Sequence, residues 1–127
     1  MNAQRLNPPS LPTPAAAYSQ VVRKGTLVIT AGQIAFDADS NLVGEGDIEA
    51  QTRQTLENLK TALEAAGASL DDVIKVTVFL SDMIYYQGMN AVFNEYFEGR
   101  PPARSTVQSG LVLPSLLVEI EAIAVVD

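Results

Sequence analysis

The sequence contains no cysteine, no histidine and no tryptophan. Without cysteine and histidine, the chain cannot form disulfide bonds, and it has no thiol nucleophile, no histidine general base and no zinc site built from these residues. A metal site made of carboxylates alone would need clustered acidic residues at ligand spacing, and no such motif is present. We therefore expect no bound metal.

Positive charge is also scarce. The chain has 8 Lys and Arg residues against 15 Asp and Glu residues, for a net charge of −7, and no basic cluster exceeds the pair Arg23 and Lys24. Nucleic-acid-binding proteins usually carry a basic excess, because neutralised phosphates supply much of their affinity. We expect no nucleic-acid partner, although a single arginine can still hold a small anionic ligand.

Long apolar segments are missing as well. The longest uncharged stretches are 6–22 and 105–118; the first holds four prolines, and the second is interrupted by Gly110 and Pro114. A membrane-spanning helix needs about 20 apolar residues, and the N-terminus lacks the apolar region of a signal peptide. We expect a soluble cytoplasmic protein with no membrane partner.

The length and composition indicate one folded domain. A chain of 127 residues, 47% of them hydrophobic and 18% charged, can bury a real core and is not disordered. We therefore assign residues 1–127 to a single domain. The proline-rich stretch 7–14 can be neither helical nor paired inside a sheet, so we expect residues 1–14 to form an extended arm.

Hydrophobic periodicity predicts the secondary structure. Asp47 is a suitable N-cap for the first helix, and Gly67 is a suitable residue just past its end. The order of the elements predicts an α+β domain, in which one sheet carries two helices on one face. The predicted helices cover 48–66 and 83–98, and the predicted strands cover 18–24, 26–31, 73–81, 103–109 and 116–126.

Two of these strands alternate in a way that assigns their faces. In the strand 73–81, we expect one face to hold Ile74, Val76, Val78 and Leu80. In the last strand, even-numbered positions from Leu116 to Val126 are all apolar, whereas the odd face mixes Leu117, Ile123 and Val125 with Glu119 and Glu121. Two helices can cover only one face, so the other face either binds a partner or is solvated with scattered apolar residues. We expect self-association.

Few residues stand out as chemically active. Arg104 is the first charged residue of a predicted strand. Either its planar guanidinium, whose parallel N–H donors we call the fork, binds a carboxylate ligand, or it forms a surface ion pair. Glu119 and Glu121 share a strand face, so they either line a wet cleft, where acid–base work is feasible, or face solvent. Asn90 is either a satisfied core amide or a ligand contact. Tyr18 alone is an ordinary amphipathic aromatic. These residues by themselves do not select a reaction.

Seven stretches, in order from about residue 15 to the C-terminus, resemble the RidA/YjgF family of reactive-intermediate imine deaminases, formerly called the endoribonuclease L-PSP family. The stretches are Tyr18-Ser-Gln20, Ala31-Gly-Gln-Ile34, Gly46-Asp-Ile-Glu-Ala-Gln-Thr-Arg-Gln54, Ala65-Ala-Gly-Ala-Ser-Leu-Asp-Asp72, Val76-Thr-Val-Phe-Leu80, Arg100-Pro-Pro-Ala-Arg-Ser-Thr-Val107 and Val118-Glu-Ile-Glu-Ala-Ile-Ala124.

The resemblance implies a fold, an assembly and an activity. The implied fold is a chorismate-mutase-like α+β domain with a mixed β-sheet. The implied assembly is a homotrimer with a barrel-like core and three clefts between subunits. The implied activity is hydrolysis of reactive enamines and imines, such as 2-aminoacrylate and 2-imino acids, to 2-oxo acids and ammonia without any cofactor. Two alternatives are a non-catalytic trimer that binds small carboxylates and, in view of the older family name, a ribonuclease.

The resemblance also implies roles for individual residues. Arg104 matches the arginine that binds the substrate carboxylate, and Glu119 matches the glutamate near the imine carbon and the attacking water. The chain departs from the family at Ala16-Ala17, where Gly-Pro is usual, and at Ala31, where Ser is frequent; both departures bear on substrate range. The implied substrate-binding residues are Tyr18, Ala31, Gly32, Asn90, Arg104 and Thr106, the last at a position that is Cys in many members.

Overall fold

A computed structural model of the chain describes residues 2–127. The order of its elements is β-β-β-α-β-α-β-β, with short 3₁₀ turns at Leu70–Asp72 and Met83–Tyr85. The strands are β1 Gln4–Leu6, β2 Val21–Lys24, β3 Leu27–Thr30, β4 Val73–Leu80, β5 Ala103–Gln108 and β6 Val118–Val125, and the helices are α1 Ile48–Ala65 and α2 Tyr86–Phe97.

The six strands form one mixed sheet in the order β1-β2-β3-β6-β4-β5. Only β4 and β5 are parallel, and α2 lies between them in the chain, as a parallel connection requires a crossover. The core cluster packs side chains of α1 and α2 against one face of the sheet. The predicted α+β domain, a mixed sheet with two helices on one face, is confirmed.

Helix α1 begins where the sequence predicts and ends at Ala65, one residue before the predicted end. The side chain of Asp47 accepts a hydrogen bond from the backbone N–H of Ala50 at 3.1 Å, which satisfies one of the free donors of the first turn. Gly67 follows the helix with a φ of 80°, a left-handed conformation that glycine adopts without steric cost. Leu56, Leu59 and Leu63 are fully buried and form the stripe that packs on the sheet.

The predicted face of β4 is wrong at its first residue. Val76, Val78 and Leu80 are fully buried, but Ile74 is 55% exposed and Val73 is buried instead. The cause is a register shift between Val73 and Lys75 in the pairing of β4 with β6. An extra residue in one strand changes the face on which the preceding side chains lie.

The N-terminal arm contains a strand that periodicity did not predict. Gln4–Leu6 pairs antiparallel with β2 and forms one edge of the sheet. Other boundaries also shift: residues 18–20 lie outside β2, and the first turn of the second predicted helix is the 3₁₀ turn Met83–Tyr85. Neither helix within residues 2–127 combines the length and the hydropathy that a membrane-spanning segment requires.

The sheet face opposite the helices is partly apolar and exposed within one chain. Leu27, Ile29, Val107 and Val125 are each more than 40% exposed, and strand register places them all on this face. Leu117, which was predicted to join them, is instead buried just before β6. The predicted even face of β6, from Val118 to Ala124, is buried as expected.

Candidate functional site

Arg104 lies on the helix-covered face of β5, where it pairs in register with Val76 of β4. The ring of Phe93, on α2, lies 4.7 Å from the guanidinium carbon, within the range of a cation–π contact. Nη2 donates to the hydroxyl oxygen of Tyr86 at 3.3 Å, and Nη1 lies 3.9 Å from the sulfur of Met89. Helix α2 therefore holds the guanidinium through aromatic and sulfur contacts.

Arg104 has no carboxylate partner within the described chain. The two ion pairs found among residues 2–127 join Arg53 to Glu95 and Arg100 to Asp71. An arginine can donate five N–H groups, and the contacts with Tyr86 and Met89 use two of them. The surface ion pair that the sequence left open is absent from this subunit, and most of the donors remain available to an anionic ligand.

Asn90 lies one helical turn after Tyr86, on the side of α2 that faces Arg104. Its side-chain oxygen is buried and has no hydrogen-bond partner among the described residues. A hydrogen bond from the Asn90 side chain, together with the positive charge of Arg104, lowers the pKa of the Tyr86 phenol. Asn90 is therefore a polar neighbour of Tyr86 with an unpartnered side-chain oxygen, and not a satisfied core amide.

These contacts define the Arg104 cluster, with the half-buried Thr106 two residues along the same strand face. Sequence reasoning missed the contribution of Tyr86, Met89 and Phe93 to Arg104. Their spacing of three and four residues along α2 places them on one helix side. That spacing alone does not identify the strand residue that this side contacts. The Arg104 cluster consists of Tyr86, Met89, Asn90, Phe93, Arg104 and Thr106.

Glu119 lies on the opposite face of the sheet, because it pairs with Phe79 on β4 rather than with an even-numbered residue. Partial burial raises the pKa of its carboxyl group, and the negative charge of Glu121 raises that pKa further. Glu119 can therefore hold a proton at a higher pH than an exposed glutamate, which is useful for acid–base chemistry near neutrality.

Gly32 touches the Glu119 carboxylate directly. A Cβ atom at this position would overlap the carboxylate oxygen, so no larger residue fits without displacing Glu119. Two backbone hydrogen bonds between Gln33 and Ile120, at 2.8 and 3.0 Å, fix this approach. Ala31 is anchored next to it, because its N–H donates to the carbonyl of Gln20 at 2.9 Å.

Tyr18 is half-exposed and lines a cavity of about 420 Å³ together with Gly32. The cavity wall is largely apolar, with Pro12, Phe36 and Leu113 among its residues. Two other surface depressions, of about 510 and 490 Å³, contain none of the predicted site residues. Glu119 and Ala31 are not among the residues that line this cavity, and Gly32 is the residue that links it to Glu119. We call Glu119, Gly32, its neighbour Ala31 and Tyr18 in the cavity wall the Glu119 cluster.

The structure therefore divides the predicted site residues into two groups. Arg104, Asn90 and Thr106 belong to the helix-covered side of the sheet, whereas Glu119 with Gly32 belongs to the open side. Because a sheet separates its two faces, Arg104 and Glu119 of one chain do not face a common ligand. Within residues 2–127, no group of three or more acidic side chains is placed to hold a metal ion.

Comparison with known proteins places these features in a family. The family model described as Endoribonuclease L-PSP matches residues 9–126. A RutC family protein of Pyrococcus horikoshii is 50% identical over 113 residues, which make up 89% of this chain and 90% of that protein.

Solved structures agree with this assignment. The crystal structure of yeast Mmf1 has a TM-score of 0.93 and 32% identity, with 99% of this chain and 100% of that chain covered. The structure of E. coli TdcF with bound serine has a TM-score of 0.89 and 34% identity, and covers 98% of this chain and 99% of that chain. Matches of this extent include both clusters, and the chain therefore belongs to the endoribonuclease L-PSP family, also known as RidA/YjgF.

Proposed function

We propose that this protein is a hydrolytic deaminase that converts 2-aminoacrylate and 2-imino acids to 2-oxo acids and ammonia. The observation that carries the proposal is Arg104, a guanidinium held by Tyr86 and Phe93 with no carboxylate partner in the described chain. Such a group suits the carboxylate of a small imino acid, because Arg and carboxylate can form two parallel charge-assisted hydrogen bonds.

The reaction needs a positioned water and a proton carrier, and Glu119 is suited to both. The water oxygen attacks the imine carbon, the electron pair of the C=N bond moves to nitrogen, and Glu119 accepts the proton of the water. Glu119 returns this proton to nitrogen, which gives a carbinolamine. Glu119 then carries the hydroxyl proton of the carbinolamine to the same nitrogen, the C–N bond breaks, and ammonia leaves as the carbonyl forms. The imine is already electrophilic, so orientation and proton transfer are sufficient and no covalent nucleophile is required.

The proposal includes a homotrimer whose clefts lie between subunits. Arg104 and Glu119 lie on opposite faces of the sheet in one chain, so a shared cleft needs Arg104 from one copy and Glu119 from another. The open sheet face, with Leu27, Ile29 and Val125 exposed, supplies apolar surface for such an association. A barrel-like trimer core built from three sheets would cover this surface.

The relatives support a small-carboxylate ligand. TdcF, which is similar to this chain over nearly its full length, has been crystallised with bound serine, an amino acid with a single carboxylate. Ribonuclease activity is a poorer fit despite the family description, because a net charge of −7 offers little attraction to a polyanion. A cytoplasmic location stays a prediction from the sequence.

The test is a coupled assay in which a threonine or serine dehydratase generates the imine. Release of the 2-oxo acid is followed with this protein, without it, and with the Arg104→Lys variant, which keeps the charge and loses the fork. We expect the wild-type protein to accelerate release and the variant to be impaired. If the wild type binds 2-oxobutyrate without accelerating release, the protein is the non-catalytic carboxylate binder; if it does neither, the proposal is wrong.

A further inference from the structure

We propose that Tyr86 is a specificity-determining residue of the same site, whose phenolic O–H donates a hydrogen bond to the ligand carboxylate beside Arg104. The inference rests on the proposed function, since it assumes that Arg104 binds a carboxylate. It adds a third, neutral donor to the two that the arginine fork supplies. The argument depends on where the Tyr86 ring lies and on which of its hydrogen-bonding positions are already used.

Tyr86 lies at the edge of the Arg104 guanidinium, whereas Phe93 lies against the face of that guanidinium. The guanidinium carbon is 4.7 Å from the ring centre of Phe93 but 5.8 Å from that of Tyr86, while the Tyr86 oxygen is 3.3 Å from Nη2. Phe93 is buried and Tyr86 is 40% exposed. An anion that approaches Arg104 from solvent therefore meets the Tyr86 hydroxyl at the edge of the fork.

The hydroxyl has one donor left to offer. A phenolic oxygen accepts through its lone pairs and donates one hydrogen. Arg104 donates to this oxygen at 3.3 Å, so the contact uses a lone pair of the oxygen and does not use its hydrogen. Among residues 2–127 the Tyr86 O–H has no acceptor, and the side-chain oxygen of Asn90 is itself without a partner.

A carboxylate can accept this remaining hydrogen. Its two oxygens offer about four lone-pair sites, and a bidentate arginine occupies two of them. A third donor at the edge of the fork would fix the rotation of the carboxylate plane, and with it the direction of the adjacent imine carbon. We call these three donors, two from Arg104 and one from Tyr86, the clamp. The clamp favours small 2-imino and 2-oxo carboxylates over neutral analogues such as the corresponding amides.

The clamp should weaken at alkaline pH. Loss of the phenolic proton removes the donor and places a negative charge next to the ligand carboxylate. The charged group facing Tyr86 is Arg104 on β5, and on its own helix the facing group is the neutral amide of Asn90; both lower the pKa of Tyr86 below its usual 10.0. Carboxylate binding by the wild-type protein should therefore fall at a pH below that expected for an ordinary tyrosine.

The experiment compares Tyr86→Phe with Tyr85→Phe, which removes a neighbouring hydroxyl that does not contact Arg104. Binding of 2-oxobutyrate and of 2-oxobutyramide is measured by calorimetry at pH 7 and pH 9.5, alongside kcat, KM and the mass of the assembly. For Tyr86→Phe we expect the Kd for 2-oxobutyrate and the KM to rise on the order of tenfold at pH 7, with a smaller fall in kcat because the imine carbon is held less firmly. Tyr85→Phe should match the wild type.

Two further readouts separate the carboxylate contact from a packing role. Binding of the neutral amide should not differ between Tyr86→Phe and the wild type, and the alkaline loss of 2-oxobutyrate affinity should disappear in Tyr86→Phe. Unchanged 2-oxobutyrate affinity in Tyr86→Phe, or an equal loss for both ligands, would overturn the clamp and leave the deaminase proposal intact. A wild-type protein that neither binds 2-oxobutyrate nor hydrolyses imines would overturn both.

Discussion

The Arg104 cluster and the Glu119 cluster hold opposite charges on opposite faces of one sheet, and they hold them differently. Arg104 is packed by side chains of α2, with Phe93 against its face and Tyr86 at its edge. Glu119 rests against backbone, because Gly32 removes the side chain that would otherwise separate them. Within the described subunit neither charge has an oppositely charged partner. Under the proposed shared cleft, the two clusters are half-sites that complement one another between copies.

Removal of the Glu119 charge should have the largest effect on turnover. Glu119→Gln keeps the size of the side chain but removes most of its capacity to carry a proton, a contribution typically worth about 10²–10⁴-fold. We expect kcat for imine hydrolysis to fall by that order while 2-oxobutyrate still binds. Unchanged turnover in an intact assembly would make Glu119 a structural carboxylate.

Removal of the Arg104 charge should affect ligand binding more than assembly. A hydrogen bond to a charged group is worth about 1.5–3 kcal/mol, so Arg104→Ala should lose at least about tenfold in kcat/KM, and Arg104→Lys should lose less. The Ala variant should also lose 2-oxobutyrate binding. Light scattering on the same sample gives the control: a protein that falls apart but keeps its turnover per folded assembly would point to a structural arginine.

Mixing the two impaired variants tests the division between faces most directly. Arg104→Ala and Glu119→Gln subunits are unfolded together and refolded as mixed assemblies. If each cleft takes its arginine from one subunit and its glutamate from the next, random mixing leaves about one quarter of the clefts with both wild-type residues. We expect roughly that share of wild-type activity to return. No recovery, in mixtures whose exchange is verified by mass spectrometry, would contradict the shared cleft.

The smallest expected effect is on stability. Folding raises the pKa of Glu119 above its usual 4.5, through burial first and the charge of Glu121 second. A raised pKa means that the protonated form is favoured in the folded state, so protonated Glu119 adds to the stability of the fold. This stabilisation is complete below about pH 4.5 and is lost as the pH rises through the folded pKa. Glu119→Gln should therefore raise the Tm at pH 7 by about 1–3 °C and change it little at pH 4.

Glu121→Gln is the matched control for this stability measurement. It removes the second cause of the pKa shift and leaves the burial of Glu119 in place, so its Tm increase at pH 7 should be smaller. Calorimetric scans of the three proteins at both pH values measure the difference. An increase for Glu119→Gln that is equally large at pH 4 would mean that the effect is packing and not charge.

Local patterns were sufficient for most of the fold. The helix stripe of Leu56, Leu59 and Leu63, its cap at Asp47 and the alternation in β6 are properties of neighbouring residues, and each agrees with the structure. The strand Gln4–Leu6 was not predictable in this way, because it forms only by pairing with β2 far along the chain. The exposure of Ile74 likewise depends on a register shift against β6.

In the candidate site, too, the residue types could be predicted from the sequence, whereas the contacts between distant segments could not. The family resemblance named Arg104 and Glu119, but the assignment of these residues to opposite faces needs the registers of both β5 and β6 against β4. The contact between Tyr86 and Arg104 joins a helix to a strand across 18 residues of sequence. No periodicity within either element encodes that contact, since it is set by how α2 crosses the sheet.

The close approach of Gly32 to Glu119 also limits how this site can change over time. Any substitution at position 32 would displace the Glu119 carboxylate. Under the proposed role of Glu119 as proton carrier, we therefore expect mutations there to be lost in a selection for imine hydrolysis, whichever imino acid is supplied. The neighbouring Ala31 is half-buried and already carries a Cβ atom. A library that randomises both positions should therefore return nearly invariant glycine at 32 and varied small residues at 31, which makes Ala31 the accessible starting point for evolving new substrate preference.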